Sequence, residues 1–170
     1  IDTGDAVALH PKNKKPIGIR HATIALKNTY RKYPVGEGPR YRAHKLEKGR
    51  ILIEFDSVGS GLKPARPEPL SGFAIAGSDR QWHWADAKIT DNTIVVSSTN
   101  VIEPVAVRYA WAMNPSQRNL LYNEEGLPAS PFRTDNWELC DPEADIVEVT
   151  KPHKSSDYTP RDWDRPVMKQ

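Results

Sequence analysis

At 170 residues, with 24 Lys and Arg against 22 Asp and Glu, the chain is long enough for one domain with a sizeable core and is nearly balanced in charge. No Lys/Arg run interleaved with aromatics stands out, which argues against nucleic acid as a partner, and no apolar run has the length of a membrane span. The single cysteine, Cys140, excludes an internal disulfide.

The first stretch to carry chemistry is "DAVALHPKNK", where His10 precedes a proline, with Asp2 and Asp5 upstream. The basic piece "HPKNKKP" reads as a solvated loop. A helix is expected over 16–33. Pro16 suits a first helical turn, Ile17, His21, Ile24 and Ala25 fall on one stripe, and Gly18, Ala22 and Ala25 form a neighbouring strip of small residues. The glycines and prolines of "YPVGEGPRY" end it. Nothing later in the chain is obviously suited to cover the apolar stripe, so its partner is expected upstream.

From there the texture turns to short strands. In "RILIEFD", Ile51, Ile53 and Phe55 alternate with Leu52, Glu54 and Asp56. "VGSGLKPARPEP" reads as a long loop. "GFAIAG", "WHWADAKI", "TIVVSS" and "PVAVRYAWA" follow as strands separated by turn signals. With no helical pattern between them, an antiparallel sandwich is expected rather than a parallel sheet. Trp82 and Trp84 share a strand face, as do Tyr109 and Trp111, and core is the expected place for both pairs. Residues 114–135 read as a long irregular loop of the kind that lines sites. After Cys140 the chain becomes polar and proline-bearing, an extended tail.

Three ordered stretches carry a family resemblance. "IDTGDAVALHPKNKKPIGIRHATIALKNTY" resembles the catalytic-histidine segment and following helix of the sialate O-acetylesterase family. "GFAIAGSDRQWHWADAKITDNTIVVSS" resembles its sandwich region, and "AVRYAWAMNP" with "LLYNEEGLPASPFRTDNW" resembles its C-terminal signature. The resemblance implies a mixed α and β chain: the C-terminal strand-loop-helix piece of an SGNH-type, flavodoxin-like α/β domain (1–35), an antiparallel β-sandwich (36–137) and an extended tail (138–170). It implies removal of acetyl groups from sugar hydroxyls of sialic acid or plant cell-wall polysaccharide, in a secreted, periplasmic or lysosomal setting. His10 matches the catalytic histidine. The nucleophilic serine, and the oxyanion-hole groups, would come from an upstream segment or chain, which agrees with a sequence that begins at Ile1 rather than Met.

Ester hydrolysis of this kind needs a serine activated by a neutral imidazole, whose other nitrogen is fixed by an acceptor. In many SGNH hydrolases that acceptor is an Asp three residues before the histidine, but Val7 stands there. Asp5, a backbone carbonyl near Val7, or Asp2 are the substitutes, and Asp5 joins His10 as the catalytic candidate. A lone His before Pro is ordinarily a loop residue, and only its matching flanks single out His10. His21 is expected to be packed or half-buried on the helix. His44, His83 and His153 show no metal spacing, so neither a metal nor another cofactor is expected. Arg108 either meets a substrate carboxylate or pairs with an acid, and it enters the candidate substrate-binding set with Tyr122 and Asn123, near Asn119. The rival expectation is a non-catalytic carbohydrate-binding sandwich.

Overall fold

The alternation of "RILIEFD" builds the centre of the molecule. In the computed structural model, which describes residues 1–4, 10–112, 115 and 117–138, Ile51, Ile53 and Phe55 point inward from strand β2 (Arg50–Asp56). β2 lies between β1 (Arg40–Glu47) and β7 (Thr93–Ser97), and β6 (Asp86–Thr90) completes a four-stranded sheet in the order β1-β2-β7-β6. Glu47 pairs with Arg50, leaving Lys48 and Gly49 as the turn, and Gly49 takes a φ of 74° that a residue without a Cβ adopts without strain.

The second four-stranded sheet runs β10 (Phe132–Arg133), β8 (Ala106–Tyr109), β4 (Phe73–Ala76), β5 (Trp82–Trp84). Its inner side sends Phe73, Ile75, Val107, Tyr109 and Phe132 against Ile51, Ile53, Ile94 and Val96 of the first. Rings fill the centre: Phe73 and Tyr109 lie 4.6 Å apart, and Phe132 stacks on Tyr41 at 5.0 Å. A two-stranded piece, β3 (Leu62–Pro64) with β9 (Leu121–Asn123), closes one end. Every ladder among the described residues is antiparallel. Over the described residues the architecture is mostly antiparallel sheet with one helix, consistent with a β-sandwich.

Several local expectations need correction. The helix, α1 (Lys15–Asn28), is shorter than 16–33 because its last carbonyls are capped early. Ala25 O accepts from the N–H groups of Thr29 and Tyr30, Leu26 O accepts from Lys32, and Arg31 turns left-handed with φ 54°. His21 is exposed rather than packed, as are Ile17, Ile19 and Ile24, and no residue of α1 is buried. "WHWADAKI" is two strands, because the chain passes from the second sheet to the first at Ala85, whose N–H bonds to Phe73 O. β3 stands in the stretch expected to be a long loop, and β1 in a stretch for which no element was expected.

The supposed loop 114–135 contains β9 and β10 and buries Leu120, Leu121, Ala129 and Phe132. Trp84 and Trp111 are not core; they are 45% and 40% exposed. Trp111 lies beyond the end of β8, after Ala110 turns left-handed with φ 47°, so it does not continue the face of Tyr109. The tail after Glu138, with Cys140, lies outside the described residues.

Candidate functional site

Asp2 is the hub of the junction between α1 and the sandwich. Its two carboxylate oxygens accept from the two terminal nitrogens of Arg20, at 2.7 and 2.5 Å, and Oδ2 also accepts from the Tyr122 hydroxyl at 2.8 Å. Bidentate pairing of this kind fixes orientation as well as distance. Arg20 stands on α1, Tyr122 on β9, and the adjoining Ile1 packs against the hydrophobic core. Gln117 Nε2 donates to Gly4 O at 2.9 Å, tying the same segment down a second time.

The electrostatics follow from this geometry. Burial alone would raise the Asp2 carboxyl, but the hydrogen bonds from Arg20 and Tyr122 and the Arg20 charge outweigh it and hold the group below its ordinary value. The Tyr122 hydroxyl is pushed up by burial and by its bond to Asp2, which keeps it a donor through neutral pH. Arg20 is raised chiefly by its hydrogen bond to Asp2.

His10 lies on the connection between Asp2 and Arg20 and is exposed; Asp5 and Val7 fall outside the described residues. Just beyond it, Lys14 Nζ donates to Pro11 O at 2.6 Å. A cavity of about 480 Å³ opens beside this loop, between the first turns of α1 and the turn after β9, with Asn13, Lys15, Arg20, Tyr33, Glu125 and Leu127 in its wall. Glu125 is fixed there by the backbone N–H and hydroxyl of Ser60, at 3.0 and 2.7 Å.

The other sequence-predicted residues are not brought to this place together. Of the two roles open to Arg108, the structure shows the acid partner. Its guanidinium donates to both oxygens of Asp135, at 2.8 and 2.7 Å, and lies 4.3 Å over the ring of Trp82. Burial would raise Asp135, but the hydrogen bonds and charge of Arg108 lower it. Asn123 is fully buried and serves the turn after β9. Its Oδ1 accepts from Leu127 N–H at 2.8 Å, and its Nδ2 donates to Glu37 O at 3.4 Å. Asn119 is likewise internal: Oδ1 accepts from Arg66 N–H, while Nδ2 reaches the carbonyls of Arg66, Glu68 and Pro69. Tyr122 alone of the substrate-binding candidates meets the His10 segment, through Asp2.

Arg20 and Asp135 were not singled out by the sequence. An arginine inside the apolar run "VAVRYA" demands a buried carboxylate, and that signal pointed to some acid without saying which. Nothing local marked Arg20. Among the described residues, no group of three or more His, Cys, Asp or Glu could hold a metal ion, and no helix is long and apolar enough to cross a membrane.

No family model matches the chain, and no curated protein matches it. Among solved structures, that of XAC1771, described as a novel carbohydrate acetylesterase from Xanthomonas citri, aligns with 39% sequence identity and a TM-score of 0.77. The chain is similar to part of a carbohydrate acetylesterase. The alignment covers 81% of this chain and 32% of that one, so the chain spans about a third of that enzyme's length.

Proposed function

We propose that this chain is the histidine-bearing, C-terminal part of a carbohydrate O-acetylesterase of the SGNH type. The observation that carries the reading is the 39% identity over 81% of the chain to a solved carbohydrate acetylesterase, most of whose length is left for the parts a catalyst still needs. The helix supports it. A 14-residue helix with no buried residue is marginal by itself in water, and an upstream α/β domain laid on Ile17 and Ile24 would supply its missing packing.

In this reading His10 takes the proton from a serine of the upstream segment as its Oγ attacks the acetyl carbonyl. The tetrahedral intermediate then collapses, and His10 returns the proton to the departing sugar hydroxyl. Water, deprotonated by the same imidazole, attacks the acyl carbon, and acetate leaves as the imidazolium returns that proton to the serine Oγ. Asp2 is already engaged by Arg20 and Tyr122, which favours Asp5 or a backbone carbonyl near Val7 over Asp2 as the group that orients the ring. No cofactor enters the reaction. The domain bounds 1–35, 36–137 and 138–170, and a secreted, periplasmic or lysosomal setting, belong to the same proposal.

Because Arg108 already holds Asp135, a sialic-acid carboxylate would have to meet another cation, and a neutral acetylated polysaccharide is the simpler substrate to test first. The test joins this chain to the upstream segment and measures acetate release from acetylated xylan. His10→Ala is expected to lower turnover by about 10²- to 10⁴-fold. A fluorophosphonate should label the complete enzyme and leave the 170-residue chain unlabelled. Unchanged turnover in His10→Ala would sink the assignment. Glycan binding without turnover would leave a carbohydrate-binding sandwich, with exposed Trp84 and Trp111 as its first candidates for stacking.

A further inference from the structure

We propose that Asp2, Arg20 and Tyr122 are positioning residues for His10, forming a clamp through which the sandwich sets the reach of the imidazole; this rests on the reading of His10 as the general base. Asp2, which precedes His10 in the chain, and Arg20 of α1, which follows it, are joined by their fork. On one side of His10 the chain is held at Asp2 and again at Gly4, by Gln117. On the other it is held at Pro11, by Lys14 at the start of α1. His10 itself stays exposed between these ties, available to a partner.

Tyr122 makes the arrangement more than a local staple. Its hydroxyl reaches Asp2 across 120 residues of sequence. Its backbone is fixed on β9 opposite Lys63 of β3, and it also bridges to Pro128. The sandwich therefore defines where Asp2 sits, and Asp2 defines where α1 and the His10 loop begin. A general base must stand within hydrogen-bond reach of its proton, and a displacement of about 1 Å at a reacting group costs on the order of 10² in rate. A sandwich with no catalytic group of its own thereby becomes necessary for turnover.

The clamp predicts a particular kinetic pattern in the complete enzyme. Tyr122→Phe and Arg20→Met should lower kcat about tenfold to a hundredfold while KM stays within about twofold. The rate of fluorophosphonate labelling at the serine should fall by the same factor, since it reads His10 without any sugar. Arg20→Lys, which keeps the charge and loses the fork, should recover part of the loss. A mere structural latch would instead lower the midpoint of thermal unfolding and leave kcat of the folded enzyme as it was.

If all three variants turn over at the rate of the unaltered enzyme while His10→Ala is dead, the clamp does not position the base and the proposal fails. If His10→Ala is as active as the unaltered enzyme, the parent reading fails and the clamp proposal falls with it. Should Tyr122→Phe not fold, Arg20→Lys decides: full kcat overturns the proposal, and a reduced kcat with unchanged KM supports it.

Discussion

Among the described residues, two arginine–aspartate forks tie the molecule together, and they work in different surroundings. Arg108 and Asp135 have side chains 8% and 1% exposed, sit within one sheet and its following segment, and are roofed by Trp82. Arg20 and Asp2 are 24% and 12% exposed and join a helix to a chain segment that is itself fastened to the sandwich by Tyr122. In the first case the surrounding core already fixes the strands, so the ion pair exists because a buried guanidinium requires a carboxylate. In the second case no residue of the helix is fully buried, and the fork is a specific tie between the helix and the segment before it. Identical chemistry is a consequence of packing in one place and a substitute for packing in the other.

The sharpest way to break the comparison is Asp135→Ala. It removes the carboxylate that takes two hydrogen bonds from the buried Arg108 guanidinium, and urea unfolding should show a loss of about 3–5 kcal/mol, against a much smaller loss for Asp2→Ala. Equal losses would mean that the two forks are energetically alike. Gly38→Ala probes the seam where the chain leaving α1 meets the turn after β9. A Cβ there would run into the Pro128 carbonyl oxygen, a backbone atom that cannot swing away. The expected cost is about 1–3 kcal/mol, and a thermal midpoint equal to that of the unaltered protein would show that the seam yields.

The smallest effect is in the acid limb. Both Asp2 and Asp135 are held below their ordinary carboxylate values, so the stability they contribute is complete above the unfolded-state value of about 3.9 and is lost as pH falls through their lower folded values. Asp135→Asn and Asp2→Asn should therefore each flatten the decline of stability below about pH 4. Thermal scans from neutral to strongly acid pH separate the two. A limb unaltered in both variants would place acid sensitivity elsewhere.

What could be read without coordinates were features with a local period or a local signature. The alternation of Ile51, Ile53 and Phe55, the apolar runs that became β4 and β7, and the proline-started helix all belong here, because side-chain alternation and helix-start chemistry are written in neighbouring residues. The pairing of β3 with β9, the passage between sheets at Ala85 and the conversion of 114–135 from loop into β9 and β10 had no such mark. Short strands in polar, glycine- and proline-bearing sequence form because a particular partner edge is waiting. The same holds for the roles of Arg108, Asn123 and Tyr122. Residue type showed that each could bind something, but partners 27 residues away for Arg108 and 120 for Tyr122 are chosen only when the chain has folded, since no local energy term links positions so far apart.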